Sequence, residues 1–153
     1  MTKEEYTQAC LRTWTFEGTK AERVSNAMLG IIGELNEYFN AEGSDKIDEA
    51  GDVLYYIHIL KYELGDSAEM VDADVEVFLS PKAYIISTAM HLAELVKKGL
   101  YHGKDVKEDT AATLRKLFYL FVVNNTLDLN EVMQHNVNKL RKRYPNGFKR
   151  GEP

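Results

Sequence analysis

An all-α fold is what this sequence predicts, on three observations. Apolar residues recur at helical spacing, as in Val24, Met28, Ile31, Ile32, Leu35 and Phe39, or Leu114, Leu117, Phe118, Phe121 and Val122. Three prolines and ten glycines leave room for long helices. No segment shows the period-two alternation of a half-buried strand. The expected architecture is a four-helix-bundle core of two antiparallel helix pairs, with an N-terminal and a C-terminal helix added, in one domain spanning residues 1–153.

The first helix is expected over Thr2–Trp14, with Thr2 as cap, Lys3-Glu4-Glu5 in the first turns, and Tyr6, Cys10 and Leu11 as a partial apolar face. Thr15–Thr19 is a loop. The second helix runs over Lys20–Ala41 and the third over Ser44–Glu63, ending at Gly65. Gly43 suits a helix C-terminus, and Ser44-Asp45 suits the start of the next helix. Asp66–Val77 is acidic and weakly periodic, a linker with room for a short helical turn. Ser80-Pro81 opens the fourth helix, Pro81–Lys98, with Gly99, His102 and Gly103 marking its exit. The fifth covers Lys107–Asn124. Thr126-Leu127-Asp128 opens the sixth, which passes Glu131 and stops at Arg143, before Pro145.

A formal charge of −5 argues against non-specific nucleic-acid binding, which asks for a basic face. A phosphorylated small ligand stays compatible, because a bound cation inverts the local field. One cysteine, Cys10, forbids an intrachain disulfide framework and suits a reducing compartment; it reads as a small packed residue. The N-terminus lacks a signal pattern, and the longest apolar run, Leu117–Val123, is far short of the roughly 20 residues that span a bilayer. A cytoplasmic location is expected.

Chemistry is concentrated in Gly33–Ile57. Glu34/Glu37 and Glu49/Asp52 are i,i+3 pairs, so each pair occupies one helix face. The short break at Ala41–Ser44 makes the two helices antiparallel, and the four carboxylates can then converge. Two like charges about 4 Å apart repel by roughly 4 kcal/mol at an effective dielectric near 20. A hard divalent cation relieves that repulsion; Mg²⁺ takes oxygen ligands and keeps room for water and phosphates. For one such pair a solvated helix face is the simpler explanation. Here Glu34 and Glu49 stand at the margins of apolar stripes, which aims them along an interhelical groove.

A faint internal echo relates the second and third helices to the fourth and fifth. It aligns Thr88 and His91 with Glu34 and Glu37, and Thr113 and Lys116 with Glu49 and Asp52, keeping the packing but not the acids. His91, His102 and His135 have no metal spacing. Lys139, Arg141, Lys142 and Arg143 form a basic run where a helix C-terminus favours cations in any case. Trp14 can offer a flat face for stacking or fill the core, the second being the commoner use of a tryptophan. Tyr55, Tyr56 and Tyr119 read as core-edge aromatics.

Glu34-x-x-Glu37 followed by Glu49-x-x-Asp52 within EAGDVLYY resembles the MazG-type all-α nucleotide pyrophosphohydrolases. The tail NVNKLRKRYPNGF, Asn136–Phe148, is similar to the N-x-x-K-L-x-x-R-Y-P-x-G-F tail of that family, and ELVKKGLYHG, Glu94–Gly103, to another of its segments. The resemblance implies cleavage of nucleoside triphosphates between the α and β phosphates, with Mg²⁺ (or Mn²⁺) as cofactor. It makes Glu34, Glu37, Glu49 and Asp52 the metal-binding and catalytic set, and gives Asn136, Lys139 and Arg143 to the triphosphate or the completion of the pocket. A homodimer is expected, with the Leu117–Val123 run as a helix face for it. Two features depart from the family pattern: the break between the acid pairs is short, and KKGLYHG sits on the pair that lacks the acids. Related specificities, dUTPase- or dCTPase-like or phosphoribosyl-ATP hydrolysis, would use similar acids. A non-catalytic helical interaction module is the alternative from another class, and a di-iron bundle is set aside because no Glu-x-x-His accompanies the acids.

Overall fold

The computed structural model describes residues 1–70 and 80–148. Six helices follow one another: α1 (Lys3–Leu11), α2 (Lys20–Asn40), α3 (Asp45–Glu63), α4 (Pro81–Tyr101), α5 (Lys107–Asn124) and α6 (Leu129–Arg143). There is no strand among the described residues, as the sequence predicts. Of the linker expected over Asp66–Val77, Asp66–Met70 is non-helical and residues 71–77 lie outside the described residues.

Side-chain caps set three of the six helix starts. Thr2 and Glu5 form a reciprocal capping box, the Thr2 hydroxyl accepting from the Glu5 amide at 3.0 Å and the Glu5 carboxylate from the Thr2 amide at 2.8 Å. Thr19 and Glu22 repeat it at α2, and Asp128 accepts from the Glu131 amide at 3.1 Å at α6. Ser44 differs from expectation. It precedes α3, but its hydroxyl makes no cap bond; the Glu42 and Gly43 carbonyls take the Asp45 and Lys46 amides instead. α1 stops before Trp14 because the Thr13 and Trp14 amides turn to carbonyls three residues back, tightening the chain out of the α-helix. α4 runs three residues past Lys98: Gly99 is tolerated inside it, and the stop falls at Gly103, whose φ of +63° suits a residue without a side chain.

α3 is the hub, packing against α1, α2, α5 and α6. At the N-terminal end of α2, Ser25 shares a hydrogen bond with Tyr101 at the end of α4, while Lys82 at the start of α4 lies over the Phe39 ring at the end of α2. α4 is therefore antiparallel to α2 and parallel to α3, and α5 returns beside α4. The bundle core holds Ile31, Leu54, Ile57, Leu92, Leu114 and Phe118, each fully buried and each contributing about 1.5–3 kcal/mol of transfer free energy. His58 is buried with them; its ring packs edge-on against Tyr6 and Phe118, Nδ1 bonds the Leu54 carbonyl at 2.7 Å, and burial lowers its pKa to about 4.

The run Leu117–Val123, expected to meet another subunit, is used inside this chain: Leu117–Phe121 are buried and only Val123 is clearly exposed. No helix among the described residues is long and apolar enough to cross a membrane.

Two glycines permit close approach. A Cβ on Gly30 would stand 2.3–2.5 Å from three atoms of the Tyr56 ring. Gly30→Ala is expected to cost about 1–3 kcal/mol by forcing α2 from α3 or turning the ring, seen as a fall in Tm. An unchanged Tm would contradict this packing. On the other side of α3, Gly51 lets α6 approach so closely that a Cβ would lie 2.8 Å from Asn136 Cβ.

Candidate functional site

Glu34 on α2 and Glu49 and Asp52 on α3 converge, each offering a carboxylate oxygen within 4.8 Å of the others. The helix spacing that placed them on facing sides of the α2–α3 groove explains the meeting. Glu37 differs from the sequence expectation in degree: it is exposed and stands at the margin of this triad, near enough to raise the pKa of both Glu34 and Glu49 through hydrogen bonding and charge. The four acids form a cluster of three with one outlier.

The electrostatics are those of a site short of positive charge. The Glu34 pKa is pushed from 4.5 up to about 8, by burial first, then by Asp52, Glu37 and Glu49. Glu49 and Asp52 are raised as well, burial again leading. One oxygen of Glu34 and one of Glu49, Oε2 in each, are buried without a hydrogen-bond partner. A buried carboxylate oxygen with no donor is costly, and a divalent cation is the group that would satisfy several at once. The triad can hold a metal ion.

α6 supplies the opposing charge. Lys139 Nζ lies 2.7 and 2.8 Å from the two oxygens of Asp52, and 3.7 Å from Asp48. His135 Nε2 is 2.7 Å from the other Asp48 oxygen. Asp48 lies outside the sequence-predicted set, although it stands four residues before Asp52 on the same face of α3; its signal is an i,i+4 spacing and not the i,i+3 spacing of the predicted pairs. Asn136, expected to touch the triphosphate or complete the pocket, lies behind the acids: fully buried, it donates to Asp52 at 3.2 Å and accepts from Tyr6 Oη at 2.7 Å. Asp52 is thus fixed by two residues of α6, one of which α1 holds in turn.

Glu34 and Asp52 form part of the wall of a cavity of about 330 Å³. Lys139 and Arg143 reach it from α6, Tyr55 and Tyr56 from α3, Asn26 from α2, and Trp14, Phe16, Tyr144 and Phe148 from the α1–α2 loop and the tail. Arg143 is exposed, its guanidinium 5.4 Å from the Tyr144 ring centroid. Tail and loop are fastened together: Thr15 Oγ1 donates to the Phe148 carbonyl at 2.7 Å, and the Arg12 guanidinium donates to the Pro145 carbonyl. The tail motif found in the sequence therefore closes one side of the cavity. Trp14 packs partly on the core, the commoner of its two sequence readings, and also lines this cavity.

In the α4–α5 pair, Thr88 bonds back to the Tyr84 carbonyl, and His91 and Lys116 are exposed. Among the described residues the carboxylate triad belongs to the α2–α3 pair alone. Fold and site together define an all-α bundle protein with one metal-competent acidic cleft beside an aromatic and cationic cavity. Comparison with protein-family models, with curated proteins and with solved structures gave no match.

Proposed function

We propose that this chain is a cytoplasmic, Mg²⁺-dependent nucleoside triphosphate pyrophosphohydrolase, releasing nucleoside monophosphate and pyrophosphate and serving to clear unwanted nucleotides. One observation carries the reading: the Glu34/Glu49/Asp52 triad has two buried, partnerless carboxylate oxygens, and two of its members, Glu34 and Asp52, line a cavity that Lys139, Arg143 and flat aromatic side chains also line. Glu34, Glu49 and Asp52 would hold Mg²⁺, which when bound neutralises phosphate charge and acidifies a coordinated water.

The chain's own groups account for the rest. Lys139 and Arg143 are the cations available to the phosphoryl oxygens. Lys139 is paired with Asp52 and would exchange part of that contact for phosphate as ligand enters. Water attacks the α-phosphorus, the bond from the α-phosphorus to the α,β-bridging oxygen breaks, and pyrophosphate leaves with that oxygen. Glu37, exposed at the edge of the cluster, takes the proton of the attacking water. A homodimer remains part of this proposal, with an interface other than Leu117–Val123.

Pyrophosphate release from each common NTP and dNTP, with Mg²⁺ and with Mn²⁺, tests the reading. Release from at least one is expected, with Glu49→Gln reducing it about a hundredfold or more while circular dichroism stays unchanged. No release from any nucleotide with either metal would refute it, and would favour the non-catalytic interaction module.

A further inference from the structure

We propose that Trp14 is a pre-set stacking surface for the base of the ligand, and that Glu63, remote from the acids, is the residue that sets it. The inference rests on the nucleotide reading above and adds to it a base subsite and a positioning residue. Glu63 is buried at the C-terminal end of α3, and both of its oxygens are engaged. Oε1 accepts the Trp14 indole N–H at 2.8 Å, and Oε2 accepts Arg23 Nε at 3.0 Å. Arg23 Nη1 also donates to the Gly18 carbonyl at 2.6 Å, so one ion pair holds both the indole and the loop that carries it.

A buried carboxylate is costly unless it is matched. Here its two bonds fix an indole that is only partly packed on the core and that borders the cavity. Phe16 stands 6.1 Å from the Trp14 ring and extends the same aromatic wall. Glu34 and Asp52 lie on the wall of the same cavity as Trp14, so a ligand with a phosphate chain at the acids can bring a flat ring to the indole. Locking the indole before binding removes the cost of ordering it afterwards. Stacking tolerates any base, so the subsite favours nucleosides as a class over bare polyphosphates.

The chain has one tryptophan, so its emission reports this surface alone. The test titrates the full-length protein in Mg²⁺ with α,β-imido analogues of the common nucleoside triphosphates and with tripolyphosphate, following both Trp14 emission and calorimetric heat. The analogues are expected to shift or quench the emission and tripolyphosphate to bind without doing so. Trp14→Ala should weaken the analogues about five- to a hundredfold and leave tripolyphosphate affinity unchanged, with Trp14→Tyr restoring part of the loss. Glu63→Gln should weaken the analogues selectively too, and make the indole more accessible to a collisional quencher. Binding of both ligand types with equal affinity and no change in emission would overturn the stacking inference and leave the hydrolase reading standing. Heat from neither ligand would overturn both.

Discussion

Glu34→Gln is expected to make the metal-free protein more stable at pH 8 while removing both the proposed pyrophosphohydrolase activity and the proposed stabilisation by Mg²⁺. The sign follows from the direction of the shift. The Glu34 pKa rises on folding from 4.5 to about 8, so the folded chain holds this proton more tightly than the unfolded chain does. The stability this gives is complete below about 4.5 and is lost as pH rises through about 8. Glu49 and Asp52 are raised too and act in the same direction. At pH 8 the wild-type cluster therefore works against the fold, and a neutral amide at Glu34 relieves it. At pH 4.5 the carboxyl is already neutral, and the two proteins should have nearly equal Tm.

On the proposed reading a divalent cation would reverse the ordering. It would bind the ionised triad and not the unfolded chain, so saturating Mg²⁺ should stabilise wild type by about 2.7 kcal/mol at a hundred times Kd. Because the ligands must lose protons first, this gain should be larger at pH 8 than at pH 5.5. The variant should show little of it, and its pyrophosphate release should fall about a hundredfold or more. Thermal melts at both pH values, with and without Mg²⁺, decide the matter. A variant less stable than wild type at pH 8 without metal, or one still protected by Mg²⁺, would show that Glu34 belongs to the scaffold and not to a cation site.

The contrast between Glu34 and Glu63 explains how much of the site was legible beforehand. Both are acids of the α2–α3 pair. Glu34 was found because its partners lie three residues away or across a short hairpin, where periodicity converts directly into proximity. Glu63 meets Trp14 and Arg23 across 49 and 40 residues, and no periodicity encodes such a pairing. The same division runs through the fold. The bounds of α5, and those of α2 to within a residue, were legible because their apolar spacing and flanking turn signals agree. The destination of the Leu117–Val123 run was not, since an apolar face looks alike whether its partners are neighbouring helices of the same chain or another subunit. Lys139 was recognised through its motif, yet its contact with Asp52 needed the packing of α6 on α3 that Gly51 allows.

Asn136→Asp should show that this packing supports the site as well as the core. The side chain is fully buried between Tyr6 and Asp52, and the amide suits both neighbours: its oxygen accepts from Tyr6, and its nitrogen donates to Asp52. An ionised aspartate in its place keeps the first bond and turns the second into a carboxylate facing a carboxylate. Lys139 is already engaged by Asp52, and the surroundings exclude water, so the new group must take up a proton to be tolerated. Its folded pKa would be raised, and the variant should therefore lose stability as pH rises from 5 to 8, by about 3–5 kcal/mol at the upper end. Asn136→Leu separates shape from charge: it removes one donor from Asp52, and its loss of stability should not grow over that pH range. Equal pH profiles for Asn136→Asp and Asn136→Leu would mean that the amide fills space only. A steeper loss for Asn136→Asp, with metal affinity weakened in both variants, would mean that the buried α1–α6 contact holds the Asp52 carboxylate in place for the cation.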